Sequence, residues 1–365
     1  MKKFLALMAT SILSSLLYAE TEVIAHIDSL LIELQHTGDD TGKVILLNEL
    51  TSAYWEKGII NTSDTISFFT NEALQLAQKL GYKEGLATAF LNKGKFEIAH
   101  THKFADATSD LLEGLYNFEK INDSAGISKC YLQLGVVSFI LMYYEDAIKN
   151  LAQSILFAAD NPGIKATGTY LTALSFSELK NIKAAKKYFS QALQSYAQLG
   201  NSHGIKECYI YMGKMYANSE FPDSGFYYLN KSIAMIDSSS DSSAWGRPFS
   251  FLSSAMLKKG NVNEAIRYGL SGYHIGKDYR DEITVIESVT TLNQAYFIKG
   301  DFSKAYFFLK ELKEMKDSIF NSSVAQRVAE SKSKFIFEKE LNDRKLKQEK
   351  EEAIAQAQIQ KQKIL

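Results

Sequence analysis

One spacing limits what this chain can fold into more than any other feature. GLATAFLNKG runs from Gly85 to Gly94, GISKCYLQLG from Gly126 to Gly135 and GIKECYIYMG from Gly204 to Gly213. Small or polar residues continue the series at Ala173, Ser253 and Asn293, so successive steps from Gly94 are 41, 38, 40, 40 and 40 residues. A sustained period of this size means one supersecondary unit stacked many times, because a single unit cannot bury its apolar face alone. Twelve residues after the last five of these positions come Ala147, Ala185, Gly225, Ala265 and Ala305. Leu134, Leu151, Phe189, Tyr216, Leu229, Tyr296 and Leu309 lie around them at helical intervals. The pattern predicts two antiparallel helices per unit that meet at the small residues, with the large ones filling the gaps. Turn signals fall midway, as in KKGNVNEA at 258–265 and IKGDFSKA at 298–305, where glycine ends one helix and Asn or Asp caps the next. Pro222 lies in such a turn, and Pro162 and Pro248 lie between units. Three prolines in 365 residues suit long helices, which tolerate proline badly.

These residues resemble the tetratricopeptide repeat (TPR), in its long-helix variety of about 40 residues per unit. The resemblance covers residues 44 to about 318 and implies an all-α fold: a right-handed α-solenoid of about seven helix-turn-helix units, followed by a long charged C-terminal helix. The first unit (44–77) lacks the mid-helix glycine, and the second carries an extra residue between Gly94 and Ala107. Cys130 and Cys208 then occupy the same slot of units two apart, each five residues before its glycine. Four helices packed about 8–10 Å apart separate such points by roughly 20 Å. A disulfide needs Cα atoms within about 7 Å. Two buried free thiols are expected.

The chain ends differ from the repeats. MKKFLALMATSILSSLLYAE has Lys2 and Lys3, an apolar run from Phe4 to Leu17, then Tyr18-Ala19, the order of a secretory signal peptide. About 14 apolar residues are too few to span a membrane comfortably. The expected organisation is a signal peptide at 1–19, an N-terminal helix or cap at 20–43, the solenoid at 44–320 and the charged helix at 321–365. A bacterial, exported chain is implied, periplasmic or membrane-associated on the periplasmic side.

Little in the sequence suggests catalysis. There is no P-loop, G-x-S-x-G or H-E-x-x-H. His100 and His102 point to different faces of a helix and have no companion ligands in sequence, so no metal or cofactor is expected. A balance of 41 basic and 42 acidic residues gives no long-range attraction for nucleic acid. The Tyr and Phe residues, 20 and 22 in number, sit at helical spacing and read mostly as core.

Such solenoids bind. The resemblance implies that the first helix of each unit lines a concave face. Projection from the small-residue positions turns Asn48, Trp55, Lys95, Lys129, Tyr170, Glu207, Lys214, Asn218, Arg247, Glu287 and Gln294 inward. That mixture of amide, charged and aromatic groups suits a peptide or protein segment in the groove. The alternative is a solvated inner face with no single ligand.

After Phe320 the chain has no glycine, proline or tight apolar stripe, and Val324, Val328 and Phe335 can pack on the last repeat. Further on, Glu340–Arg344 and Asp343–Lys347 stand at favourable helical spacing. The heptad pattern is poor, so the tail reads as a spacer or a weak coiled-coil homodimer element. The order of signal peptide, opening helix (DSLLIELQHTGDDTGKVILLNEL), long repeats and Lys/Glu/Gln-rich helix resembles the sensor half of certain bacterial membrane signalling proteins. There the charged helix leads into one membrane span and a cytoplasmic cyclase, histidine kinase or helix-turn-helix regulator. The stretch EEAIAQAQIQKQKIL looks most like the cyclase-linked version. No such output domain lies within these residues; it would follow Leu365. Two readings stand: the periplasmic sensing part of a truncated signalling protein, or a free-standing periplasmic scaffold.

Overall fold

A computed structural model describes residues 25–57 and 63–319, except 102, 160, 218, 220 and 237–241, together with separate helical positions between 328 and 354. The expected signal peptide, Val324 and most of the tail lie outside the described residues. The described residues are helices and short turns. Helix α1 spans 25–36. Then come α2 (Thr41–Lys57), α3 (Ser63–Leu80), α4 (Lys83–Phe96), α5 (Phe104–Lys120), α6 (Ser124–Ile140), α7 (Tyr144–Phe157) and α8 (Pro162–Glu178). They are followed by α9 (Ile182–Gln198), α10 (Ser202–Ala217), α11 (Pro222–Ala234), α12 (Gly246–Lys258), α13 (Val262–Asp278), α14 (Glu282–Lys299) and α15 (Phe302–Ile319). From α2 onward these make seven hairpins, and the repeat is all-α as expected. The opening segment is two helices rather than one. Thr37–Asp40 breaks it, and the Lys43 N–H donates to Asp40 Oδ1 at 3.1 Å to begin α2.

Two compact units divide the chain. One holds residues 1–133 and 322–365, the other 134–321. In the first, Ile27 and Leu30 of α1 pack with Leu46, Leu47 and Leu50 of α2 and Phe69 of α3. In the second, Phe189, Ala192 and Tyr196 of α9 pack with Cys208, Met212 and Met215 of α10. Both cysteines are free and buried.

One turn is used repeatedly. A left-handed residue at Gly81, Asn122, Met142, Lys180, Gly200, Gly260, Arg280 or Gly300 closes a helix. The next amide then donates five residues back, as from Tyr143 to Ser138 O, Asn181 to Phe176 O and Asp301 to Tyr296 O. Asn161, Asn181, Asn201, Asp281 and Asp301 then cap the following helix by accepting a bond from an amide three residues on. Asn261 is the departure from expectation: it makes no side-chain cap and turns its amide toward Met256 Sδ. Pro222 and Pro162 each open a helix, where the missing N–H costs nothing.

The small-residue slot has a specific physical use. A Cβ on Gly94 would meet Leu111 Cγ at 2.6 Å, and one on Gly135 would meet Leu151 Cδ2 at 2.7 Å. In later units the slot residue bonds the partner helix instead. Ser253 Oγ donates to Ala265 O at 2.6 Å, and Asn293 Nδ2 donates to Ala305 O at 2.8 Å. Glycine admits close approach, while Ser or Asn donates to the corresponding carbonyl of the partner helix. Leu134, Leu151, Phe189, Tyr216, Leu229 and Tyr296 are buried as expected, but Leu309 is 49% exposed and Phe308 takes the inward position. The tail also differs from expectation: its described positions group with the first unit, where Lys339 pairs with Glu119 and Val328 is buried.

Candidate functional site

Counted from the slot residue, positions −6, −2, +1 and +5 repeat at helical intervals of four and three, so they share one face of the first helix of a hairpin. In the second unit that face carries Glu207, Tyr211 and Lys214 on α10, Arg247 and Phe251 on α12, Glu287 on α14 and Glu178 at the end of α8. Their charges are joined. Arg247 donates through Nη1 to Glu207 Oε2 and through Nε to Asp281 Oδ2, both at 3.1 Å, tying α10, α12 and the cap of α14 together. Lys214 reaches Glu178 Oε1 at 3.0 Å and Glu287 Oε1 at 2.7 Å, while its Nζ stands 5.5 Å over the Phe251 ring.

Burial sharpens these contacts. The Lys214 side chain is 18% exposed. Desolvation alone would pull its pKa down, but Glu287 and Glu178 outweigh it and hold the ammonium above its ordinary value. Below the face, Tyr170 packs edge-on against Phe189, Tyr196 and Tyr211, and Tyr211 against Phe251. Burial pushes the Tyr211 hydroxyl up to about 12, so it stays a neutral donor. Beside Lys214 opens a cleft of about 480 Å³ lined by Ser177, Glu178, Lys180, Ile182, Lys214, Met215, Ser219, Phe221 and Glu287.

Residues predicted to face inward divide among several environments. Glu207, Lys214, Arg247 and Glu287 are brought together in the ion network. Tyr170 supports it from the aromatic layer. Lys129 and Gln294 are exposed, and Asn218 lies outside the described residues. In the first unit, Lys95 Nζ stands 5.3 Å over the Trp55 ring, which also meets His100 at 5.2 Å. Asn48 is buried there: its Nδ2 donates to Gly85 O and its Oδ1 accepts from Asn92 Nδ2, both at 3.2 Å. Four residues of the network were not picked out from sequence. Glu178 sits at +5 and Tyr211 and Phe251 at −2, so the full helical face would have found them. Asp281 caps α14 in the structure, and its ion pair with Arg247 depends on where α12 packs.

A second polar cluster lies at the end of α4, where the helix widens into a π turn at Glu97–Thr101. Glu97 is 8% exposed, and its Oε2 has no hydrogen-bond partner. Burial and then the nearby Asp110 carboxylate raise its pKa to about 8, against the pull of Lys93. Lys93 itself pairs with Asp110 at 3.0 Å. Among the described residues no group of three His, Cys, Asp or Glu side chains could hold a metal. No helix among them is long and apolar enough to cross a membrane.

No protein-family profile matches the sequence, and no curated protein matches it. Solved structures do. The fold is similar to that of a Rap protein complexed with Competence and Sporulation Factor, at TM-score 0.59 and 12% identity over 85% of this chain and 95% of that one. It is similar to the Rap conjugation gene regulator of plasmid pLS20 in complex with the Phr* peptide, at TM-score 0.53 and 13% identity over 85% and 97%. It is also similar to a signal transduction ATPase with a tetratricopeptide repeat sensor from Pyrococcus horikoshii, at TM-score 0.53 and 17% identity over 73% of this chain and 44% of that one. The repeating hairpins, the small-residue slot and these likenesses agree: the chain has the all-α fold of tetratricopeptide-type helical-repeat proteins.

Proposed function

We propose that this chain is an exported module that binds a peptide or protein segment, and that it serves as the periplasmic sensing part of a longer signalling protein. The observation that carries binding is the cleft of about 480 Å³ beside Lys214, where polar groups held by packing border apolar walls. A similar fold has been solved in complex with the Phr* peptide, which supports a peptide as ligand class. The charged, apolar, small-residue order of residues 1–19 supports export. The membrane is engaged only through a span following Leu365.

A free-standing periplasmic scaffold is the second reading. The pairing of Lys339 with Glu119 favours it, because this part of the tail is engaged by the chain's own repeats. Alkaline phosphatase fused after Leu365 tests export: it should be active in the periplasm and lose that activity when residues 1–19 are removed. Reading the coding sequence beyond Leu365 separates the two proposals, a hydrophobic span favouring the sensor and a stop codon the scaffold.

A further inference from the structure

Resting on the peptide-binding reading, we infer that the cleft of the second unit takes a basic side chain, lysine or arginine, from its peptide. The argument is one of unused hydrogen-bonding capacity. An ammonium has three N–H donors. Those of Lys214 face Glu178, Glu287 and the ring of Phe251, so nothing is left over for an acidic ligand. The carboxylates are not saturated. Glu178 and Glu287 each meet Lys214 through Oε1, and among the described residues no other donor reaches either group. Each therefore keeps an acceptor oxygen at the cleft.

The next part of the same face adds to this. Arg247 is shared between Glu207 and Asp281, two carboxylates for one guanidinium. Across both networks four acids meet two bases, and the exposed Lys180 at the cleft wall does not close the gap. The walls suit the rest of such a side chain. Ile182, Met215 and Phe221 offer apolar surface for an aliphatic stem, and Ser177 and Ser219 are neutral. Lysine and arginine are the side chains that combine that stem with a donor-only head.

The test uses fluorescein-labelled Gly-Ser-Leu-X-Leu-Ser-Gly with X as lysine, norleucine or glutamate, titrated with the full chain and read by anisotropy. The lysine peptide should bind at least about tenfold more tightly than the glutamate peptide, the discrimination one charge-assisted bond supplies. Glu178→Gln with Glu287→Gln should remove that preference, bringing the lysine and glutamate peptides to within about twofold of each other. Because this pair strands a buried ammonium, Lys214→Met gives an independent reading: it frees both carboxylates and should strengthen lysine binding several-fold. Equal binding of all three peptides, or tightest binding of glutamate, overturns the inference and leaves the peptide reading standing. Failure of all three to bind overturns both.

Discussion

The two units carry polar residues on or beside their repeating helices and dispose of them differently. In the first, Asn48 is spent on Gly85 O and Asn92, and the Glu97 carboxyl lies beside Asp110 in a buried pocket. In the second, Glu207, Arg247, Lys214 and Glu287 form ion pairs between helices, and Lys214 and Glu287 border an open cleft. Burial is the difference. An amide can be buried if a carbonyl and a second amide meet it, and a lone acid can be buried if it stays protonated. Ion pairs must keep some water or supply several partners at once. The lesson is that a constant scaffold lets a face position hold either a buried packing group or an ion-paired group at a cleft, according to how tightly neighbouring helices close over it.

The strongest way to break the comparison is to wedge apart a hairpin of the second unit. A Cβ on Gly225 would stand 2.5 Å from Ala217 N and 2.9 Å from Gly213 O, both backbone atoms that cannot swing aside. Gly225→Ala should cost about 3 kcal/mol. Amide hydrogen exchange should rise across α10 and α11 while α2–α5 keep their protection. Equal loss in both units would show that they do not respond separately.

A smaller effect, of opposite sign, is expected from Glu97. Its folded pKa of about 8 lies above the ordinary value of 4.5, so the folded state holds an extra proton between those limits. Stability is then fully present below about pH 4.5 and is lost as pH rises toward 8. Glu97→Gln should remove that dependence and exceed the original chain by about 2 kcal/mol at pH 8, with little difference at pH 5. Denaturant melts at the two pH values measure it; parallel profiles for the two proteins would refute the buried-acid account. The smallest effect concerns a turn. Met142 holds a φ of 63° and is 58% exposed, so its side chain pays for a left-handed backbone with little packing in return. Met142→Gly should stabilise by about 0.5–1 kcal/mol. Unchanged or lower stability would mean the methionine contributes packing that offsets the strain.

The fold was largely legible because hairpin packing is local. Gly135 and Ala147 are twelve residues apart, and a close approach between them needs only two helices and a turn. The same locality exposed the cap at Asp301. Leu309 was misread because its spacing continues the series while, among the described residues, no further hairpin follows α15 to cover it. The split of the opening segment at Thr37–Asp40 was missed because the helical periodicity on either side hid the break.

The candidate site was legible in part. Projection from the slot reached Glu207, Lys214, Arg247 and Glu287, since all four stand at fixed offsets on one helical face. It could not tell which of these would find each other. Lys214 and Glu287 lie 73 positions apart, and their pairing depends on how α14 packs relative to α10.

From the sequence alone came the helical period, the small-residue slots, the turn chemistry and the columns of side chains sharing a face. All of these follow from backbone geometry within a few dozen residues. Tertiary structure alone decided that Asn48 is buried, that Lys214 is neutralised twice, that Glu97 keeps a proton and that the described part of the tail groups with the first unit. Each of those outcomes depends on how closely distant helices approach and exclude water, which sets the strength of every polar contact and is not written in any single repeat.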